Sequence, residues 1–221
     1  IVHKHTSHYF RPPDHFPPNE EAAFMITQLA RLFRISLSKG RTVITVADEL
    51  QHARSYMNIQ KIRYKNAFSV VFDVDQEVCS CCTVKLILQP ILENAINYGV
   101  SGMDDCGEIR VTGRLEDGNV ILSVTDNGIG MSEEQVALIL TDSSHMHKRG
   151  SGVGLVNVNN RIRLLFGGEY GLTVESEPDE GTTVTVRIPA VPYTEENRKI
   201  LEQGYGFGGE EMIDGRSRGN E

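Results

Sequence analysis

Residues 86–99 read LILQPILENAINYG, a helical pattern that carries an acid and an amide, Glu93 and Asn94, in its second half. Asp126-Asn127-Gly128-Ile129-Gly130 follows, and then Gly150-Ser151-Gly152-Val153-Gly154-Leu155 opens onto another helical pattern. Glycine lets a backbone turn sharply and approach a ligand closely, and a helix N-terminus attracts anionic groups. An amide-bearing helix, an acidic glycine loop and a second glycine loop before a helix, in this order, predict a binding site for ATP.

The charge and composition of the chain argue against several classes of partner. The 221 residues carry a formal net charge of -8 at pH 7, whereas nucleic acid and anionic membrane surfaces are bound by clustered Lys and Arg. No apolar run approaches the roughly 18 residues of a membrane span, and no signal peptide opens the chain. We therefore expect a soluble segment that contacts neither nucleic acid nor membrane, which leaves a membrane-bound parent open.

Two groups of residues are of a type that binds metal ions. Cys79, Cys81, Cys82 and Cys106 could bind a metal, but C-x-C-C lacks the paired C-x-x-C spacing of zinc sites. The opening stretch His3-Lys4-His5-Thr6-Ser7-His8 could do the same. We favour reduced thiols for the cysteines and a terminal tail for the histidines.

Periodicity divides the chain into four segments and predicts its fold class. Thr45 and Asp48 form a capping-box pair at the start of the second of two early helices, which could pack on the core or form a dimerising stem. Later strand patterns alternate with helical ones, which predicts an α/β sandwich: a mixed, mostly antiparallel sheet covered by helices on one face and preceded by two helices. The predicted segments are a loose leader at 1–18, a helical segment at 19–65, an ATP-binding domain at 66–192 and a flexible tail at 193–221.

The first glycine loop suggests how a base is recognised. Asp126 ends an apolar strand, where its carboxylate can accept a hydrogen bond from the exocyclic amine of adenine. Gly128 and Gly130 lack Cβ and let the backbone approach a flat base. Thr182 and Thr183 begin the last strand, and we select Thr183 as a hydroxyl that reaches the base through water. The alternatives are an ordinary Asp-Asn-Gly turn and a plain strand-forming threonine.

The helix at 86–99 and the second glycine loop supply candidates for the phosphate end. Asn94 offers an amide oxygen that suits Mg²⁺ held together with phosphate oxygens. Glu93 could orient a water or hydroxyl, or act as a base; the alternative for both residues is a solvated helix face. Free N–H groups at a helix start suit a triphosphate. The remaining candidate phosphate contacts are Asn97, Tyr98, Lys148, Arg149, Gly150, Gly152, Gly154 and Leu155.

Together these motifs resemble the GHKL, or Bergerat-fold, superfamily of ATP-binding proteins. Its N box corresponds to Glu93-Asn94-Ala95, and its two Gly boxes to the glycine loops quoted above. The finer pattern is similar to the LytS/YesM group of bacterial sensor histidine kinases, from about Ala22 to Pro189. The stretches that carry this similarity are 32–39, 49–64, 86–99 and 154–162.

The resemblance implies a cytoplasmic kinase region that is attached, in its parent, to a membrane sensor and works as a homodimer with a response regulator. It implies that Asn94 binds Mg²⁺, that Asp126 and the first Gly box bind adenine, and that the second Gly box binds phosphates under a mobile lid. Position 98 is usually histidine in this group and is Tyr98 here. His15 precedes Phe16, as the family's acceptor histidine does, but Pro17-Pro18 follows, so we interpret His15 as not the acceptor.

Three functions remain open at this point. The first is the catalytic domain of a protein-histidine kinase, which passes the γ-phosphoryl group to a histidine that is not evident in the chain. The second is a nucleotide-binding regulatory module without phosphotransfer, for which the missing acceptor is the only support. The third is a GHKL ATPase in which Glu93 activates water. The helices before the N box favour the first function over the third.

Overall fold

The computed structural model describes residues 7–8, 18–37, 40–101, 107–139 and 153–204. Its strands are β1 (Ser7–His8), β2 (Val43–Thr45), β3 (Phe68–Val74), β4 (Cys82–Val84), β5 (Gly107–Glu116), β6 (Asn119–Asp126), β7 (Gly171–Glu177) and β8 (Gly181–Pro189). Its helices are α1 (Pro18–Ser36), α2 (Val46–Arg63), α3 (Leu88–Asn94), α4 (Glu133–Ile139), α5 (Val153–Phe166) and α6 (Glu195–Glu202). A π-helical turn, Ala95–Val100, continues α3.

The main sheet has the strand order β1-β3-β5-β6-β8-β7. β3 and β5 run parallel, and every other neighbouring pair in this sheet is antiparallel. A second, two-stranded sheet pairs β2 with β4. The prediction of a mixed, mostly antiparallel sheet is confirmed.

Helices cover one face of this sheet. Alternate residues of the central strands are buried on that face: Val111, Val124 and Val184 lie side by side in the register and are each at most 5% exposed. The buried residues of α3 and α5 pack with them in one apolar core. Leu92 of α3 and Ile162 of α5, for example, are 0% exposed. The predicted two-layer α/β sandwich, with helices on one face of the sheet and two helices before it, is therefore confirmed.

The apolar spacing from Thr83 to Asn97 predicts one helix, but the helix begins later than this pattern suggests. Residues 82–84 form β4, because Val84 pairs with Val43 and is buried there. Leu86 then adopts a left-handed φ of 59°, and α3 starts at Leu88. Pro90 consequently lies in the first turn of α3, where its missing N–H would have no partner within the helix.

The two ends of the chain also differ from their predicted form. Ser7–His8, in the predicted leader, pairs with β3. α1 starts at Pro18, one residue before the predicted helical segment. α6 lies in the predicted flexible tail, and its Glu202 carboxylate accepts hydrogen bonds from the backbone N–H groups of Thr42 (2.8 Å) and Val43 (3.2 Å). The prediction of a tail is therefore wrong for residues 193–204.

The first helix leaves its more apolar side uncovered. α1 packs on α2 through Ile35 and the buried amide side chain of Gln28. Four apolar side chains on another face of α1 are exposed: Ile26 (67%), Leu29 (39%), Phe33 (61%) and Leu37 (73%). Their spacing of three and four residues places them on one stripe of the helix.

Candidate functional site

A cavity of about 280 Å³ opens between the helix that bears Asn94 and the end of β6. This volume is near the lower end of the usual range for small-molecule sites, ~300–1,000 Å³. Parts of α3, the π-helical turn, α4, α5 and β8 complete its walls. Six of the residues selected from the sequence line it: Asn94, Asn97, Tyr98, Asp126, Gly130 and Leu155. Thr182, next to the selected Thr183, lines it as well.

Asp126 is the one acidic side chain among the cavity-lining residues that the structure describes. It is 5% exposed, and its Oδ1 atom accepts a hydrogen bond from the Gly128 N–H at 3.0 Å. Burial raises the pKa of Asp126 to about 6, although hydrogen bonds from the Gly128 and Thr182 backbones oppose that rise. A buried carboxylate with acceptor capacity to spare suits a donor such as an exocyclic amine.

Glycines bring the N-box helix against the Asp126 loop. A Cβ on Gly99 would lie 2.5 Å from Oδ1 of Asp126, and a Cβ on Gly128 would lie 2.3 Å from the Gly99 Cα. Gly130 has a φ of 63°, and a Cβ there would lie 1.8 Å from the Glu177 carbonyl oxygen. Side chains at Gly99 and Gly128 would push the two motifs apart, whereas a side chain at Gly130 would collide with β7 and strain the backbone.

The Asn94 amide faces the cavity and makes no hydrogen bond with any residue that the structure describes. An unengaged amide oxygen beside a nucleotide cavity fits the donor type that Mg²⁺ prefers, with phosphate oxygens and water as its other ligands. Asn97 and Tyr98, one turn further on, are exposed residues that also line the cavity.

Glu93 does not reach the cavity. Its Oε1 atom accepts a hydrogen bond from Nε2 of Gln89 at 2.8 Å, and its carboxylate lies beside the Tyr56 hydroxyl of α2. Neighbouring residues on a helix point about 100° apart, so Asn94 faces the cavity while Glu93 faces α2. Glu93 is therefore not among the residues that line the cavity, and its role as a base or in orienting water stays a prediction.

The threonine selected on the last strand lies on the wrong face of the sheet. Thr183 pairs with Thr125, and their hydroxyl oxygens are 3.0 Å apart on the uncovered face. Thr182 pairs with Asp126 and lines the cavity. Because side chains alternate along a strand, a one-residue error in register moves a residue to the opposite face.

The second Gly box lies partly within the described chain. Gly154 is in the first turn of α5, and a Cβ there would approach the Pro90 Cβ to 3.2 Å, so this glycine sets the spacing of α3 and α5. Leu155 is fully buried and lines the cavity. The other selected residues of this region, Lys148, Arg149, Gly150 and Gly152, lie outside the described residues, as does His15.

Several cavity residues were not selected from the sequence. Thr182 could have been found by matching the strand alternation of β8 to that of β6. Gly99 stands at the end of the quoted helix, but only the fold shows that it abuts Asp126. Ile129, Met131, Gln135 and Ile139 have no local signal, because their role depends on how α4 lies over the cavity.

The described chain has other features that bear on ligand and metal binding, among them a second groove of about 620 Å³ beside Asp126, Thr182 and Thr183. A larger groove of about 760 Å³ lies between α1, α2 and β3, but it contains none of the selected residues. Cys79, Cys81 and Cys82 are free thiols, and burial raises the pKa of Cys82 to about 11. The described residues contain no group of three or more metal-binding His, Cys, Asp or Glu side chains. None of their helices combines the length and apolar character needed to cross a membrane.

Two family models match the chain. The first, described as histidine kinase-, DNA gyrase B-, and HSP90-like ATPase, matches residues 83–192. The second, described as histidine kinase, matches residues 15–68. The first covers the cavity from the N-box helix to the last strand, and the second covers α1 and α2.

Curated relatives and a solved structure agree with these matches. The sensor histidine kinase YesM of Bacillus subtilis is 36% identical over 165 residues, which are 75% of this chain and 27% of YesM. The sensor histidine kinase BtsS of Escherichia coli K12 is 32% identical over 171 residues, 77% of this chain and 28% of BtsS. The catalytic domain of histidine kinase ThkA superposes with a TM-score of 0.54 at 20% identity, covering 69% of this chain and 97% of that domain. The chain thus spans less than a third of the length of YesM and of BtsS. The similarity to ThkA shows a shared fold.

Proposed function

This chain belongs to the histidine kinase family, and we propose that it passes the γ-phosphoryl group of ATP to a histidine side chain on a separate helix. The observation that carries the proposal is the cavity in which an unengaged amide, Asn94, and a buried carboxylate, Asp126, face one space beside the first turn of α5. The amide suits the phosphate end of a nucleotide, and the carboxylate suits its base.

Asp126 would bind the adenine amine. Its ionised carboxylate accepts hydrogen bonds only, so it selects a base that presents an N–H donor at that position. Gly130 lines the cavity, Gly128 lets the loop lie against Gly99, and Thr182 adds a hydroxyl on the same face of the sheet. Guanine presents an acceptor where adenine presents its amine, so we expect ATP to be preferred over GTP.

Asn94 would hold Mg²⁺ through its amide oxygen, and Asn97 and Tyr98 would contact the phosphates. When bound, Mg²⁺ supplies positive charge that offsets the charge of the phosphate oxygens. The N–H groups at the start of α5, with Lys148, Arg149, Gly150, Gly152 and Gly154, would bind the same phosphates.

In the transfer step, the bond from the γ-phosphorus to its bridging oxygen breaks and a bond from phosphorus to an imidazole nitrogen forms. ADP leaves with the electron pair of the broken bond, and the imidazole proton passes to solvent. The protein contributes mainly position and charge, as is usual for phosphoryl transfer. Glu93, engaged with Gln89 and facing α2, does not line the cavity, which weighs against an ATPase.

The partners follow from the same proposal. The exposed stripe of α1 is a surface on which a second copy of the chain would pack, since four apolar side chains on one face are costly to leave in water. We propose that the parent is a membrane sensor, that this segment lies on its cytoplasmic side, and that a response regulator receives the phosphoryl group.

A transfer assay tests this proposal. The chain is incubated with ATP labelled at the γ-phosphorus, Mg²⁺ and a separate polypeptide that carries a family-type acceptor helix. We expect acid-labile, Mg²⁺-dependent label on that polypeptide and none with Asp126→Asn. Tight ATP binding without any transfer would contradict kinase activity and favour a regulatory module.

A further inference from the structure

A buried carboxylate holds the start of the helix that bears Asn94. Glu49 of α2 is 0% exposed, and its Oε2 atom accepts a hydrogen bond from the Leu86 N–H at 2.7 Å. Its Oε1 atom accepts from the N–H groups of Ile87 and Leu88, both at 2.8 Å. The first N–H groups of a helix have no partner within that helix. Glu49 therefore satisfies them from a different element of the fold.

An arginine holds the same turn from the other side. Arg161 of α5 donates from Nη2 to the Lys85 carbonyl at 2.5 Å and from Nη1 to the Leu86 carbonyl at 3.5 Å. Leu86 has a left-handed φ of 59°, which a leucine adopts only where its surroundings enforce it. The turn is thus fixed through its N–H groups by α2 and through its carbonyls by α5.

The same face of α2 also contacts the far end of α3. Tyr56 lies seven residues after Glu49, two helical turns away on one face. Burial, and then the charge of the neighbouring Glu93 carboxylate, raise the pKa of Tyr56 far above its ordinary range. Glu93 directly precedes Asn94 in α3. Helix α2 therefore contacts α3 at its first turn, through Glu49, and again next to Asn94, through Tyr56.

These contacts lie on the side of α3 that faces away from the cavity. Ile91 and Asn94 line the cavity on the opposite side, whereas Glu49, Tyr56 and Arg161 do not line it. A rigid shift of α3 would move the Asn94 amide relative to Asp126, which belongs to β6. A displacement of about 1 Å at a reacting site is enough to cost a large factor in rate.

We propose that Glu49 and Arg161 are positioning residues that clamp the first turn of α3 and thereby fix Asn94 for Mg²⁺-dependent nucleotide binding. This inference rests on the proposed function, because it takes Asn94 as the ligand to Mg²⁺. The clamp also joins α2, which precedes the ATP-binding region, to α5, which follows the second Gly box. A displacement of α2 would in this way change the metal end of the site without touching the adenine end.

The test compares Glu49→Gln with Asp48→Asn as a matched control. Both substitutions replace a carboxylate by an amide on the first turn of α2, but Asp48 is exposed and its side chain does not contact α3. In Glu49→Gln, the amide nitrogen faces an N–H donor of the turn, so at least one hydrogen bond is lost. The affinity for ATP is measured with and without Mg²⁺ by calorimetry, beside thermal unfolding of each variant.

We expect the gain in ATP affinity from Mg²⁺ to fall about tenfold or more in Glu49→Gln, with Mg²⁺-free affinity within about threefold of wild type. Asp48→Asn should match wild type in both. If Glu49→Gln lowers both affinities equally, or neither, the positioning role is wrong and the carboxylate serves stability alone. If the wild type itself shows no Mg²⁺-dependent binding, the proposed function fails instead.

A second variant covers the case in which Glu49→Gln does not fold. Arg161→Lys keeps the positive charge but cannot bridge the two carbonyls of Lys85 and Leu86 at once. It should show the same selective loss of the Mg²⁺ effect. Wild-type values for both affinities in Arg161→Lys would overturn the proposal.

Discussion

Asp126 is the side chain on which the proposed base recognition depends, and burial sets the pH at which its carboxyl group ionises. The ionised carboxylate can only accept hydrogen bonds, whereas the protonated group also donates one. Burial raises the pKa of Asp126 to about 6. Adenosine affinity should therefore fall about tenfold between pH 7 and pH 5, as the ionised fraction falls. Adenosine is the probe because phosphate groups themselves ionise near pH 6. Affinity that does not change over this range would contradict the role of Asp126.

Substitution of Asp126 separates binding from stability. Asp126→Asn removes the charged acceptor and should weaken ATP binding roughly a hundredfold, since hydrogen bonds to charged groups contribute up to about 3 kcal/mol. The pKa of Asp126 is higher in the folded protein than the ordinary value, so its contribution to stability falls as pH rises from about 4 through about 6. Asn avoids this cost, and we expect the unfolding temperature at pH 7 to be equal or higher. A large loss of stability would count against this account of the burial.

Gly99 provides a steric test at the same scale. In Gly99→Ala the new Cβ would lie 2.5 Å from Asp126 Oδ1, so the carboxylate or the helix must move. We expect a destabilisation of about 1–3 kcal/mol, typical of overpacking, together with loss of ATP binding. Gly168→Ala is the matched control, because nothing lies within 4 Å of its Cβ. Denaturant unfolding and ATP titration check both variants, and equal behaviour of the two would refute the close packing.

Strand β8 allows a test at the scale of one element. Thr182 lines the cavity and Thr183 lies on the uncovered face of the sheet. Thr182→Val should weaken ATP binding about threefold to tenfold through the loss of one hydroxyl, whereas Thr183→Val should leave it unchanged. Calorimetric titration of both variants shows which of the two threonines contacts ATP. A loss that appears in Thr183→Val alone would restore the prediction made from the sequence.

Helix α1 carries the prediction about association. Phe33→Glu places a charge within the exposed apolar stripe, and we expect it to shift the chain from dimer to monomer in sedimentation velocity. Leu164→Glu is the control, because Leu164 of α5 is 87% exposed and lies outside the stripe. A wild-type chain that is monomeric at all concentrations, or a dimer that Phe33→Glu leaves intact, would exclude α1 as the interface.

Local patterns predicted most elements because their causes are local. The alternation in β3 and the Thr45 cap of α2, whose hydroxyl accepts from the Asp48 N–H at 3.0 Å, need only neighbouring residues. The start of α3 was misjudged because Val84 pairs with Val43, a partner that the local pattern does not show. α6 does have a local signal, because the Thr194 hydroxyl caps it by accepting from the Asn197 N–H at 3.0 Å, and the prediction of a flexible tail did not use that signal.

The candidate site was predictable to the same extent. The motifs identified Asn94, Asp126 and Gly130, and these residues line one cavity. Glu93 and Thr183 do not line it, since the direction of a side chain depends on helix orientation and strand register. The role of Glu49 had no signal in the sequence, because its three backbone partners are known only from the fold.

At the scale of the whole molecule, the helices before the nucleotide-binding region are part of its architecture. α2 supplies Glu49 to the start of α3, and α5 supplies Arg161 to the same turn. The N-box helix is therefore fixed by elements that come before and after it in the chain. In a kinase region arranged in this way, the proposed Mg²⁺ site at Asn94 would respond to a change in the N-terminal helices.

The most direct test of the central claim is titration of the chain with ATP, with and without Mg²⁺, for the wild type, Asn94→Ala and Asp126→Asn. We predict that Mg²⁺ strengthens wild-type binding, that Asn94→Ala loses this Mg²⁺ effect, and that Asp126→Asn loses binding under both conditions. Tight Mg²⁺-dependent ATP binding that persists in either variant would contradict the assignment of the site.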